Sequence, residues 1–219
     1  MSLWIKICAT TSLGDAQLAA VAGADAIGFV FAPSPRRVTV EQVAAITPHL
    51  PAALEKIGVF VDAPLEEIEA AVRACGLTGV QLHCEAGIGL PRRLREGFGS
   101  ALRILRVVHF DAHSAERAAA LDEDANIDAI LVDSRTPAAV GGTGVAFDWL
   151  AARETLYHNA TARRRIAAGG LSPSNVAEAI ATLRPWGVDV ASGVESAPGR
   201  KDPDKVRAFV ANARAASRT

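Results

Sequence analysis

The chain has 219 residues, half of them hydrophobic, with 23 basic and 24 acidic side chains and a formal net charge of −1. That length allows one domain or two very small ones, and the balanced charge removes the electrostatic basis for binding nucleic acid or an anionic membrane surface. The three cysteines, Cys8, Cys75 and Cys84, contain no CxxC pair, which argues against a disulfide framework or a zinc site and for a reducing compartment.

The opening Met1-Ser2-Leu3-Trp4-Ile5-Lys6 lacks the basic-then-apolar order of a secretory signal, and no run approaches the about 18 apolar residues of a membrane span. A cytoplasmic protein is expected. Short runs rich in Ile, Val and Leu then alternate with amphipathic stretches rich in Ala, Glu and Arg. A strand at Trp4–Cys8 leads to a helix at Leu13–Ala22, which Gly23-Ala24-Asp25 stops. Strands follow at Ala26–Phe31, Lys56–Val61, Gly79–His83 and Leu102–Val108, each trailed by a helix: Val40–Thr47, Leu65–Ala74, Pro91–Gly97 and Ala115–Asp122. The strand Ala129–Asp133 precedes a helix at Phe147–Thr155, and Arg165–Ala168 precedes one at Pro173–Thr182, with Ser172 as N-cap and Pro173 at the first helical position. Asp189–Ala191 and Pro203–Ala216 form the last pair, and residues Ala215–Thr219 are expected to fray.

Eight strand–helix units in strict alternation imply parallel strands with right-handed crossovers. The segments are apolar on successive residues, as strands covered on both faces are. An open doubly wound sheet would serve as well, but it places a glycine-rich turn after the first strand, where this chain has Cys8-Ala9-Thr10-Thr11. A closed (β/α)8 TIM barrel forming one catalytic domain over residues 1–219 is the expected architecture.

Chemistry in a barrel sits where strands end and the following loops begin. Those positions hold Cys8, Arg36, His83, Asp133, Gly169-Gly170 and Ser192-Gly193. The loops after the seventh and eighth strands are the recurrent phosphate site of this fold, and glycines there let backbone amides close on an anion. Cys8 is either a small core hydrophobe or, if a phosphate or an arginine tunes it, a thiolate able to take a proton. Asp133, ending an apolar strand, is either a loop cap or a buried carboxyl that holds its proton and acts as an acid. Cys75 and Cys84 read as structural. Arg36 and Arg37 offer a fork for a carboxylate, or form a surface pair. His83 binds ligand or is satisfied by a backbone partner. Arg163-Arg164-Arg165 lies on the opposite, stability face, with the first two solvated.

The ordered set resembles the phosphoribosylanthranilate isomerase family of tryptophan biosynthesis over nearly the whole chain. The resemblance is carried by Lys6-Ile7-Cys8, by Gly23 to Phe31 with Ser34-Pro35-Arg36, and by Val80-Gln81-Leu82-His83. It continues through Leu131-Val132-Asp133-Ser134, Gly141-Gly142-Thr143-Gly144, Phe147-Asp148-Trp149, Ala168-Gly169-Gly170-Leu171 and Gly187 to Glu195. It implies a barrel of the ribulose-phosphate-binding type and an Amadori rearrangement of a phosphoribosyl aminoaldose to a 1-deoxy ketose, with no metal and no organic cofactor. By the same resemblance Asp133 is the general acid and Cys8 the general base. Arg36 or Arg37, His83 and Asp189 surround the anthranilate end, and Gly142, Gly169, Gly170, Ser192 and Gly193 hold the phosphate. The small-molecule substrate is then the expected partner, and the chain is a monomer or a homodimer.

Departures from the family pattern bear on the pocket. Ala9-Thr10 replaces a pair such as Gly-Leu, and a methyl at Ala9 requires a negative φ there. Cys84 replaces a usual glycine, Ala191 a usual serine or asparagine, and the Ser34-Pro35-Arg36 loop is one residue short. A related sugar-phosphate isomerase of the histidine pathway would carry aspartate in place of Cys8. A non-catalytic phosphate-binding barrel would not need both Cys8 and Asp133.

Overall fold

A computed structural model describes residues 3–83, 89–133, 148–158 and 163–218. Eight strands close into one ring in sequence order: β1 (Trp4–Ile7), β2 (Ala26–Val30), β3 (Glu55–Phe60), β4 (Gly79–Leu82), β5 (Arg103–His109), β6 (Ala129–Asp133), β7 (Arg164–Ala168) and β8 (Gly187–Val190). Every neighbouring pair is parallel. Between them run α1 (Leu13–Ala22), α2 (Val40–Ile46), α3 (Leu65–Cys75), α4 (Gly89–Phe98), α5 (Ser114–Asp122), α6 (Trp149–Ala152) and α7 (Val176–Leu183), and α8 (Pro203–Ala216) ends the fold. Among the described residues no helix is long and apolar enough to cross a membrane.

Strand geometry points successive side chains to opposite faces, and that alternation builds two cores. Ile5, Ile7, Ile27 and Phe29 face outward and pack with Ala16, Ala19 and Phe209 of the helices. Trp4, Ala26, Ile57, Leu105, Ala129 and Ile166 face inward and fill the barrel. The end where strands begin is plugged: Trp4 and Trp186 stack with ring centroids 5.3 Å apart, and Arg103 bonds Glu55 at 2.6 Å beneath them. Cavities with chemistry therefore open at the other end, where the strands finish.

Local signals set the helix limits. Ser12 accepts from the Asp15 N–H to start α1, and Gly23, at φ 90°, ends it. Asp202 accepts from two backbone N–H groups ahead of Pro203 in α8. That helix ends at Ala216, its expected limit. Arg214 donates there to the Leu3 and Gly23 carbonyls and to the Asp25 carboxylate, clipping α8 to the start of β1. The seventh helix is α over Val176–Leu183, later than Pro173: residues 173–175 form a turn ahead of it, in which the Asn175 side chain accepts from the Ser172 N–H at 2.8 Å and the Ser172 carbonyl accepts from the Asn175 and Val176 N–H groups. The sixth runs as α only over Trp149–Ala152 and widens to a π-helical turn over Arg153–Tyr157. Its expected first residue, Phe147, lies outside the described residues. The expectation of a solvated Arg163 fails: its guanidinium donates to the Ile127 and Asp122 carbonyls, while Arg164 lies 4.8 Å over the Trp186 ring. A short hairpin, β9 (Glu195–Ala197) and β10 (Arg200–Lys201), was not expected; its two- and three-residue strands carry no periodicity to read.

Phe209 is completely buried between α8 and the barrel. Phe209→Ala is expected to cost about 3–5 kcal/mol in urea unfolding, whereas Val21→Ala, at a side chain 87% exposed, should stay within about 0.5 kcal/mol.

Candidate active site

Lys6 of β1 and Cys8, the residue directly after that strand, stand two positions apart, so both side chains enter the barrel. Lys6 is fully buried, and its Nζ donates to Asp189 Oδ1 at 2.8 Å and to Gln81 Oε1 at 2.9 Å. The pair follows from register, since Lys6 and Asp189 are direct partners across β1 and β8. Gln81 Nε2 in turn meets His83 Nε2 at 2.9 Å. A polar chain from Asp189 through Lys6 and Gln81 to His83 thus floors the open end of the barrel. Burial pulls the Lys6 pKa down, but the charges of Asp189 and Cys8 outweigh it, and the ammonium is held above its usual range.

For the Cys8 thiol the balance runs the other way. Burial pushes its pKa up, Lys6 pulls it down, Asp189 adds a further push, and the outcome lies above the ordinary thiol value. The cations that pull on this thiol are therefore lysines, Lys6 first and Lys201 after it. Gly28 on β2 makes room for both: a Cβ there would sit 2.7 Å from Cys8 Sγ and 3.0 Å from Lys6 Cε.

Asp133 ends β6, buried, directly opposite His109 of β5 in register. One cavity of about 300 Å³ is lined by Cys8, Arg36, Gln81, His83, His109, Asp133 and Asp189 together. Around the ring β1 and β6 are separated by β8 and β7, so thiol and carboxyl reach this space from well-separated strands. A larger cavity of about 700 Å³, between β5 and α5, shares His83 and His109 but includes neither Cys8 nor Asp133. The smaller one gathers the reactive groups.

The two arginines separate. Arg36 lines the cavity of Cys8, while Arg37 faces a different hollow of about 200 Å³ beside Asp62 and Pro64. Arg36 Nε and Nη2 engage the Glu195 carboxylate at 2.7–3.0 Å. That bond raises the Arg36 pKa. Burial pushes the Glu195 pKa up, but Arg36 and Lys201 more than reverse it.

The glycine turns come together. Gly169 and Gly170 take φ of 77° and 66°, and a Cβ on Gly193 would lie 1.9 Å from the Leu171 carbonyl oxygen. Asn175 locks the first turn by donating to the Gly170 carbonyl at 2.9 Å. Ser192–Val194 forms a single 3₁₀ turn against it. Gly142 and Cys84 lie outside the described residues.

Ala9 overturns one expectation. Its φ is +60°, the left-handed region that a negative φ was to avoid. The Cys8 N–H is held by the Val190 carbonyl and the Thr10 N–H by the Gly28 carbonyl, both at 2.8 Å. The chain switches partner from β8 to β2 at this residue, and the flanking bonds impose the turn whatever side chain stands there.

Lys6, Gln81, His109, Glu195 and Lys201 were not singled out from the sequence. The signal for Lys6 and Gln81 was present: each is a polar residue inside an apolar strand, two positions before a site residue, on the same face.

A closed parallel barrel with a thiol, an ammonium and two carboxyls at the carboxyl ends of its strands defines a (β/α)8-barrel enzyme. A family described as N-(5'phosphoribosyl)anthranilate (PRA) isomerase matches residues 5–212. The chain belongs to that family. It is 44% identical over 217 residues to the N-(5'-phosphoribosyl)anthranilate isomerase of Citrifermentans bemidjiense, covering 96% of each chain. Its fold is similar to phosphoribosyl anthranilate isomerase from Thermotoga maritima (TM-score 0.85, 38% identity, 97% of this chain and 99% of that one). A further isomerase structure, in complex with reduced 1-(o-carboxyphenylamino)-1-deoxyribulose 5-phosphate, aligns with TM-score 0.82 and 35% identity over 97% of this chain and 99% of that one.

Left-handed alanine costs about 1–2 kcal/mol, partly offset in the glycine variant by about 0.4–1 kcal/mol of added unfolded-chain entropy. Ala9→Gly is therefore expected to raise Tm by about 2 °C in a chain of this size, read by calorimetry; a lower Tm would show that the backbone there carries no strain.

Proposed function

We propose that this chain converts N-(5'-phosphoribosyl)anthranilate to 1-(2-carboxyphenylamino)-1-deoxyribulose 5-phosphate in tryptophan biosynthesis, with Asp133 as general acid and Cys8 as general base. Asp133 gives its proton to the furanose ring oxygen as the C1–O bond breaks, and the nitrogen lone pair forms the Schiff base. Cys8 as thiolate then takes the C2 proton, and the electron pair moves into a C1–C2 double bond to give the enolamine. Protonation at C1 and loss of the C2 hydroxyl proton yield the ketone. The steps are redox-neutral and the substrate's own nitrogen is the electron sink, so no metal or organic cofactor is required. The observation that carries this reading is the shared cavity of Cys8 and Asp133.

Arg36, with His83 and Asp189, is assigned to the anthranilate end, and Arg37 is not, because it faces another hollow. The touching turns at Gly169-Gly170 and Ser192-Gly193 are assigned to the phosphate; Gly142, expected there too, lies outside the described residues. Left-handed glycines and a tightly packed turn suit backbone amides to an anion. The barrel is taken as one catalytic domain acting in the cytoplasm, as a monomer or homodimer.

The raised Cys8 pKa makes the thiolate scarce at neutral pH but a stronger base once formed. Cys8→Ala and Asp133→Asn should each lower kcat by about 10²–10⁴-fold while still binding the reduced product analogue in titration calorimetry. Near-normal turnover in either variant would remove its assigned role. Because activity needs the ionised thiol and its pKa is raised, kcat/KM should climb with pH through a limb lying above about 8.5, the ordinary thiol value. A thiol limb at or below that value, in a steady-state pH series, would contradict the burial argument.

A further inference from the structure

Arg36 does not meet the cavity as a lone cation. Its Nε lies 2.9 and 3.0 Å from the two Glu195 oxygens, and its Nη2 is 2.7 Å from Oε2. The Glu195 side chain is only 4% exposed. A fork this close cancels the formal charge of the arginine, which works against attracting a second carboxylate. The hairpin β9–β10 supplies what is missing. Lys201, 3% exposed, places Nζ 3.2 Å from Glu195 Oε1 and 3.2 Å from the Ala191 carbonyl. Glu195 is thereby held between two cations, half-buried Arg36 and buried Lys201, and the triad carries a net charge of +1. Its remaining contacts are the Gly199 N–H on Oε1 and the exposed Lys205 Nζ on its backbone carbonyl; half-buried Asp15 accepts only the Lys201 backbone N–H. Charges in solvent are screened and buried ones much less so, so the triad sets the local field.

We propose that Lys201 is a specificity-determining residue: acting through Glu195, it fixes the Arg36 fork and restores the positive charge that selects a substrate amine bearing an aromatic carboxylate. Glu195 occupies the Nε edge of the guanidinium, and the Nη1 amino group keeps two donors for the ligand. Burying an ammonium is costly, and burial does pull the Lys201 pKa down against the attraction of Glu195. A hairpin clasp alone would not need that charge. The inference rests on the reading that Arg36 receives the anthranilate carboxylate, and the test separates the two.

The experiment measures Kd by titration calorimetry for two ligands, the reduced carboxyphenylamino product analogue and its phenylamino counterpart without the carboxyl group. The proteins are the wild type, Lys201→Met, Lys201→Arg, Arg36→Met and the double variant Glu195→Gln/Lys201→Met. The wild type should prefer the carboxylated ligand by about ten- to hundredfold, the range of a charge-assisted hydrogen bond. Lys201→Met should lose about tenfold of that preference, roughly one charge interaction at a partly buried site, with little change for the uncharged-ring ligand. Lys201→Arg should keep it, and the double variant, which lacks the counter-charge as well, should regain most of it. Lys201→Gln, which retains a donor for Glu195, replaces Lys201→Met if the latter does not fold. An unchanged preference in the lysine variant beside a lost one in Arg36→Met overturns the proposal and leaves the Arg36 reading standing. A preference that survives Arg36→Met overturns both. Equal weakening of the two ligands in Lys201→Met marks a structural clasp and also overturns the proposal.

Discussion

The ion pair between Lys6 and Asp189 sits on the seam where the first and last strands close the barrel. An ammonium with no exposure to water is tolerable only against a carboxylate held at hydrogen-bond distance, with its other protons used. Asp189 and Gln81 meet that demand. The constraint reaches outward from there. It ties β1 to β8 in one register, since a slip of one residue would turn Lys6 into the helix layer. It also sets a fixed positive charge beneath Cys8, and it requires a glycine at position 28 beside both side chains.

The two ends of the barrel divide the labour. Stacked tryptophans and the Glu55–Arg103 pair seal the end where strands begin, while ionisable groups concentrate where they finish. Partial burial of the upper groups makes each charge matter more than it would in water. Two short-range ion systems follow, Lys6–Asp189 under the thiol and Arg36–Glu195–Lys201 beside it. The first is neutral as a pair and the second is not, which matches a thiol at one side of the cavity and a site suited to an anion at the other.

Much of this was legible from the chain. The limits of α1 and α8 coincide with the expected Leu13–Ala22 and Pro203–Ala216, because capping is a local matter settled within a few residues. The strands follow their apolar runs to within a residue or two. The seventh helix was placed three residues too early, because residues 173–175 form a hydrogen-bonded turn on the Ser172 carbonyl that looks in sequence like a first helical turn. The site splits in the same way. Cys8, Asp133 and the glycine turns occupy strand ends, positions the fold itself marks out. Lys6 was marked as a polar residue within an apolar strand, but its partner Asp189 lies 183 residues away and is set by closure of the ring, and Lys201 stands in a hairpin too short to show a period. The turn at Ala9 was misjudged for a related reason, since bonds to β8 and β2 set its backbone and the residue type does not.

The Arg214 clip bears on the order in which the chain is threaded. It holds the final helix turn against Leu3 and Asp25, so both ends of the described chain lie together at the sealed face, away from the cavity. Where the ring is opened is then structurally arbitrary. A rearranged chain, joining those two ends by a short polar bridge and opening elsewhere on the sealed face, would form the same ring with its reactive mouth undisturbed.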